Sequence, residues 1–335
     1  MWRRRAGRRG HRRGCLITVT DLAGQALVDG VLAGDRRALA RALTMVEDGS
    51  PASLRELIGG LWPATGSARV IGVTGSPGVG KSTLTNSVAT RLRRAGRTVA
   101  IVAVDPSSPF SGGALLGDRV RMQGHHADDG VFIRSMASRG HLGGLSFATP
   151  QAVLVLDAAG FDDVLIETVG VGQSEVEVAA TADTTIVALA PGMGDGIQAA
   201  KAGILEIADI FVINKADAGG AGKLEAELRG MLEMGHAVQD DGNGWWPPIL
   251  RTVAVRDEGV EELVAAIDEH GASTSSSEGR ADRDLERARH AIREIVLERQ
   301  RVAMEAAADL LDELAGAVAA REMDPYAAAD RLTQG

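Results

Sequence analysis

One cysteine, Cys15, in 335 residues leaves no disulfide framework and no cysteine-only metal site, and fits a reducing, cytoplasmic setting. Aromatic residues make up 3%, so a chain that is 45% apolar must build its core from alanine, valine, leucine and isoleucine. No apolar run free of charges and breakers reaches the roughly 20 residues of a membrane-spanning helix, and Cys15 to Val19 is too short for a signal peptide. The net charge of −9 becomes −16 once the seven arginines of residues 1–14, a stretch without acids, are set aside. A body that acidic excludes nucleic acid as the main partner. The basic head, residues 1–20, lacks the serines and amphipathic pattern of a transit peptide and reads as a disordered tail.

Lysine is the scarcest charge: four residues, Lys81, Lys201, Lys215 and Lys223, against 32 arginines. A chain that has drifted so far toward arginine retains lysine where a compact ammonium cannot be replaced by a planar fork. Lys81 is such a place. Gly75-Ser76-Pro77-Gly78-Val79-Gly80-Lys81-Ser82, followed by Thr83, is G-x-x-x-x-G-K-[ST] after the apolar run Val70 to Val73 and ahead of a helical pattern. Glycines let backbone N–H groups turn inward around phosphate oxygens. Lys81 then reaches the β- and γ-phosphates, and the Ser82 hydroxyl is placed for Mg²⁺.

Valine- and isoleucine-rich runs at 69–74, 98–104, 131–135, 163–169, 184–190, 210–214 and 249–255 alternate with helix-length segments. That order predicts an α/β domain over 65–270, its mainly parallel sheet covered by helices on both faces. Ahead of it, 21–64 reads as a helical prefix with Leu22, Ala26, Leu27, Val31, Leu39, Leu43 and Val46 at helical spacing and N-caps at Asp35 and Ser50. Gly271 to Gly279 reads as the core of a flexible linker over 271–281, and 282–335 as a helical arm with Leu285, Ala288 and Ile292 on one stripe.

Asn214-Lys215-Ala216-Asp217 closes the run ending at Ile213. There the Asp217 carboxylate can accept from the N1–H and N2–H₂ edge of guanine, while adenine would leave it unpaired. Thr252-Val253-Ala254 closes the last run, where a backbone N–H can meet guanine O6. Asp105 and Glu167 end two other strands beside the glycine-rich loop, in position to bind Mg²⁺ directly or through its waters, with Asp118 a third candidate. A second glycine-rich loop, Pro191 to Gln198, carries Asp195 and Gln198 toward Lys201. The seven histidines show no ligand spacing, and Trp245-Trp246-Pro247-Pro248 reads as a packed loop entering the last strand.

Taken together, GSPGVGKS (75–82), AVDPSSPFSGGALLGDRVRM (103–122), IETVGVGQSE (166–175), GDGIQAAKAGILEIAD (194–209), NKAD (214–217) and DPYAAADRL (324–332) resemble the MeaB/ArgK family of P-loop GTPases, which includes the human mitochondrial protein of methylmalonic aciduria type A. The resemblance covers 21–333 and omits the basic head. It implies a P-loop NTPase fold of the SIMIBI GTPase class, binding GTP, GDP and Mg²⁺. It implies a homodimer joined through the C-terminal helices, and a chaperone that gates cofactor loading into an adenosylcobalamin-dependent acyl-CoA mutase, commonly methylmalonyl-CoA mutase, and protects it. By motif it gives Lys81 and Ser82 the phosphate and Mg²⁺ roles, places Asp105, Asp118 and Glu167 in the metal and catalytic network, and makes Asp195 to Lys201 a partner-contacting switch. Where many GTPases carry a water-orienting glutamine after D-x-x-G, Glu167-Thr168-Val169-Gly170 is followed by Val171, so slow hydrolysis accelerated by a partner is expected. The alternatives are a metal-insertion GTPase, which needs a Cys/His cluster to carry its metal, and a transport-system protein kinase or ATPase of ArgK type.

Overall fold

The computed structural model describes residues 19–105, 128–137, 147–168, 174–192, 205–236, 245–274 and 277–334. The strands β1 (Arg69–Thr74), β2 (Val99–Asp105), β3 (Val131–Ala137), β4 (Asp163–Thr168), β5 (Thr184–Leu189), β6 (Ile210–Ile213) and β7 (Ile249–Arg251) form one sheet in the order β3-β2-β4-β1-β5-β6-β7. Each neighbouring pair is parallel, so every strand delivers its C-terminal end to the same edge. Ligands of doubly wound sheets bind at that edge.

Alternation along the strands sends side chains to two buried faces. Ala100, Val102 and Val104 of β2 join the core beneath α5 (Ala148–Ala158), α6 (Ser174–Thr181) and the N-terminal helices. Val99 and Ile101 point the other way, toward α4 (Lys81–Arg94) and α8 (Val260–Ser273). A third cluster, with Val187, Leu189, Phe211 and Ile213, packs beneath α7 (Ala221–His236). The sequence signal for β7 overran: 249–255 reads as a strand, but the chain leaves the sheet after Thr252 for a 3₁₀ turn at Ala254–Arg256. That turn is closed by a Val253–Glu258 bridge, a backbone contact with no hydrophobic signature in the sequence.

The prefix forms α1 (Val19–Leu32), α2 (Arg36–Asp48) and α3 (Pro51–Leu61), with both expected caps. Asp35 accepts from the Ala38 N–H at 2.7 Å, and Ser50 Oγ from the Ser53 N–H at 3.2 Å. Val28 is buried where the spacing pointed to Ala26, which is exposed. At the N-terminal edge of the sheet, Asp163 Oδ1 accepts from Arg69 Nε at 3.0 Å and Arg97 Nη2 at 2.8 Å. Burial pushes the Asp163 carboxyl up, and the two arginines pull against that shift.

The linker expectation is corrected. Helix α8 runs through Ser273, and α9 (Ser277–Ala306) begins four residues later, eight residues before the helical stripe at Leu285. Composition rich in serine and glycine describes the intrinsic flexibility of a segment, but two helices of 14 and 30 residues propagate into it from either side. Arg287 fastens α9 to the domain, donating to Asp183 Oδ1 at 2.6 Å and to the Ala182 carbonyl at 2.7 Å. Its apolar residues Leu285, Ile292 and Val296 remain exposed, Ile292 at 64%. The arm continues through α10 (Ala308–Ala319) and α11 (Pro325–Gln334).

Candidate active site

The central strand β1 ends at Thr74 and the glycine-rich loop wraps to α4, whose first residue is Lys81. Two glycines are required twice over. Gly75 has φ +136°, and a Cβ there would lie 2.1 Å from the Ala188 carbonyl oxygen. Gly80 has φ +95°, and its Cβ would lie 2.6 Å from Asn214 Nδ2. The buried Lys81 Nζ donates to the Gly75 carbonyl at 2.7 Å and to Ser76 at 3.1 Å, which holds the ammonium over the loop at the N-terminus of α4. Phosphate oxygens are favoured there by the helix dipole and the inward N–H groups.

Beside it, Ser82 Oγ donates to Glu167 Oε1 at 2.5 Å. Glu167, 6% exposed, lies on β4 in register with Val73 of β1 and Ala103 of β2. Asp105 ends β2 two residues beyond Ala103, so the backbone brings it to the same edge. A hydroxyl and carboxylates of this kind are hard oxygen donors, the set that suits Mg²⁺. Ser82 and Glu167 could hold such an ion, with Asp105 ending its strand at the same edge, and its chemistry would be neutralisation of charge on the β- and γ-phosphate oxygens. Asp118, Asp195, Gln198, Lys201 and Val171 lie outside the described residues.

The base side is built around Asn214, which is 3% exposed. Its Nδ2 donates to the Val79 carbonyl at 2.9 Å, and its Oδ1 accepts from Thr252 Oγ1 at 3.1 Å and the Ala254 N–H at 3.2 Å. Lys215, in the left-handed region at φ +56°, stretches back so that Nζ donates to the Gly78 carbonyl at 2.7 Å. One asparagine and one lysine thus tie the β6 end to the phosphate loop. Asp217 is exposed, and its Oδ2 accepts from Arg256 Nη1 at 3.1 Å. Thr252, Val253 and Ala254, where a backbone N–H is expected to meet guanine O6, all have their N–H groups engaged. Those three donate to the Ile213 carbonyl (3.0 Å), the Glu258 carbonyl (3.0 Å) and Asn214 Oδ1 (3.2 Å). The Ala254 contact is the longest and the only one made to a side chain. Thr83, the second residue of α4 after Lys81, is half-buried.

Sequence reasoning missed Arg256, which sits in an Arg-Asp-Glu string that reads as a solvated charge run. Its guanidinium is also forked by Glu258, Nε to Oε1 at 2.8 Å and Nη2 to Oε2 at 3.3 Å. Hydrogen bonding to Glu258, with the charges of Glu258 and Asp217, holds Arg256 above its ordinary pKa.

A parallel sheet with a phosphate loop on its central strand, tied by asparagine to an N-K-x-D loop at the same edge, defines a P-loop GTPase. Residues 39–309 match the family model described as methylmalonyl Co-A mutase-associated GTPase MeaB, and the chain belongs to that family. GTPase ArgK of Escherichia coli is 42% identical over 238 residues, covering 70% of this chain and 72% of that one. The mitochondrial methylmalonic aciduria type A homolog of Mus musculus is 35% identical over 254 residues, 71% of this chain and 60% of that one. Among solved structures, the crystal structure of an LAO/AO transport system kinase matches with a TM-score of 0.66 and 28% identity, covering 96% of this chain and 99% of that one. The family expected from the motifs is therefore the family found, and the chain is a GTP-hydrolysing enzyme.

Proposed function

We propose that the chain couples GTP hydrolysis to the care of an adenosylcobalamin-dependent acyl-CoA mutase, with methylmalonyl-CoA mutase the first partner to test, gating cofactor loading and protecting the loaded enzyme. The supporting observation is the 2.5 Å hydrogen bond from Ser82 to Glu167. It joins a phosphate-side hydroxyl to the end of β4, immediately before the segment that carries Val171. Whatever γ-phosphate and Mg²⁺ do at Ser82 is felt at the start of that segment, and Val171 has no group with which to orient water. Slow intrinsic hydrolysis, completed by a partner that reorders the loops, follows from that pairing. The mutase itself is supported by the family description and by the mouse relative's name.

In this reading Lys81 binds the phosphates, Ser82, Asp105, Asp118 and Glu167 serve the Mg²⁺ side, and Asp217 selects guanine. Ala254, whose N–H contact with Asn214 is the easiest to exchange, meets O6. The exposed stripe Leu285, Ile292 and Val296 is the homodimer face. The partner is met in the cytoplasm in this reading; among the described residues no helix is long and apolar enough to cross a membrane.

Single-turnover hydrolysis with and without the cognate mutase is the test. A slow basal rate that the mutase raises is expected, and Glu167→Gln should abolish hydrolysis while GDP binding persists. A fast basal rate indifferent to the mutase sinks the proposal. For the dimer, light scattering should show Ile292→Glu with Val296→Glu as a monomer.

A further inference from the structure

The guanine-reading carboxylate does not stand alone. Asp217 is 44% exposed at its side chain and terminates in a rotor whose χ2 is broad. A carboxylate that must present both oxygens to two donors at fixed spacing gains from being turned beforehand. Arg256 is the group in contact with it, and Arg256 is itself fixed from three directions. Its Nε and Nη2 are forked by Glu258, which leaves Nη1 for Asp217 Oδ2 at 3.1 Å. Its backbone closes a tight turn, with the Arg256 N–H on the Val253 carbonyl at 2.8 Å. The next residue, Asp257, sits at φ +59° and takes Arg91 Nη2 at 3.1 Å and Arg94 Nη1 at 3.0 Å from α4. The guanidinium is thus referenced to the helix that begins with Lys81 and Ser82.

A carboxylate offers about four lone-pair sites, so one arginine N–H on Oδ2 leaves capacity for the N1–H and N2–H₂ of guanine. We propose that Arg256 is a positioning residue for base selection, turning the Asp217 carboxylate toward the guanine edge from its place against Glu258, in a turn that Asp257 ties to α4. The inference rests on the assignment of Asp217 as the guanine reader.

The test measures GDP, IDP and XDP affinities, with Mg²⁺, for the full-length protein and for Arg256→Gln, Asp217→Asn and the double variant. Inosine lacks the N2 amino group, and xanthine carries an oxygen there that an asparagine amide can meet. Arg256→Gln should weaken GDP by about three- to tenfold and IDP less, so that guanine-over-hypoxanthine discrimination shrinks. On the Asp217→Asn background, Arg256→Gln should add nothing, because the carboxylate it turns is gone. Unchanged or tighter GDP binding overturns the inference. So does an equal loss for GDP and IDP that persists in the double variant, which would make Arg256 a scaffold of its turn. If Asp217→Asn fails to move preference from GDP toward XDP, the base assignment itself falls and this inference with it. If that shift occurs while Arg256→Gln has no effect, only the role of Arg256 is lost.

Discussion

Asn214 Nδ2 donates to the Val79 carbonyl across 2.9 Å, so the N-K-x-D loop and the glycine-rich loop form one hydrogen-bonded body. Removing that side chain strands three buried partners at once: the Val79 carbonyl, the Thr252 hydroxyl and the Ala254 N–H. Asn214→Ala should therefore cost about 1–3 kcal/mol of stability, the usual penalty for unsatisfied buried polar groups. GDP affinity should fall by more than stability alone explains, since the two loops lose their common register. Thermal unfolding alongside calorimetric titration decides it, and an unaltered melting temperature would count against this account.

Gly80 and Gly96 make a matched pair. Both have left-handed backbones, φ +95° and +84°, yet a Cβ at Gly96 meets nothing within 4 Å while one at Gly80 meets Asn214 at 2.6 Å. Gly96→Ala should cost about 1–2 kcal/mol, the backbone penalty alone, and leave nucleotide binding intact. Gly80→Ala should carry that penalty and also push Asn214 off Val79, with at least about a tenfold loss of GDP affinity, or 1.4 kcal/mol. Equal nucleotide affinities in the two variants would contradict the steric argument.

What the sequence could show depended on range. The phosphate loop, the seven strands and the caps at Asp35 and Ser50 are local patterns, and each is legible within a few residues. Glu167 was legible because a carboxylate ending an apolar strand is conspicuous, although its partner Ser82 is 85 residues away. Arg256 was not, because its meaning lies in Asp217, 39 residues upstream, and in a turn held by the Val253–Glu258 bridge. Gly80 was read for phosphate alone; its second duty, making room for Asn214, comes from tertiary packing. The linker was misread because composition cannot see that two helices grow into it.

His270 anchors the opposite edge of the sheet and takes no part in the site. It is 2% exposed, with Nδ1 2.8 Å from Thr184 Oγ1, Nε2 3.2 Å from Asp209 Oδ1, and its ring 4.9 Å from that of Trp245. His270→Ala should lose about 2–4 kcal/mol, combining a cavity with stranded polar partners. GTP turnover by the folded fraction should stay at the wild-type value at low temperature. A change in nucleotide affinity would show that the basal edge communicates with the site.

Two adjacent carboxylates should push acid stability in opposite directions. Asp162 Oδ2 accepts from the Thr98 N–H at 2.6 Å and from Thr98 Oγ1 at 2.8 Å, and these bonds, the backbone one foremost, hold its carboxyl below the ordinary value. A depressed folded pKa means the unfolded chain binds the proton first, so this contribution is present above pH about 4 and is lost as pH falls through the folded value. Asp163 is the reverse case: burial raises its carboxyl, so its contribution is full below the ordinary value and is lost as pH rises through the folded one. Between pH 7 and 3, Asp162→Asn should start less stable than wild type and close that gap on acidification, flattening the acid limb. Asp163→Asn should steepen the limb, because the gain on protonation is gone. Melting temperatures taken across that range check both signs, and parallel curves for wild type and Asp162→Asn would show that the Thr98 hydrogen bonds do not favour the ionised form.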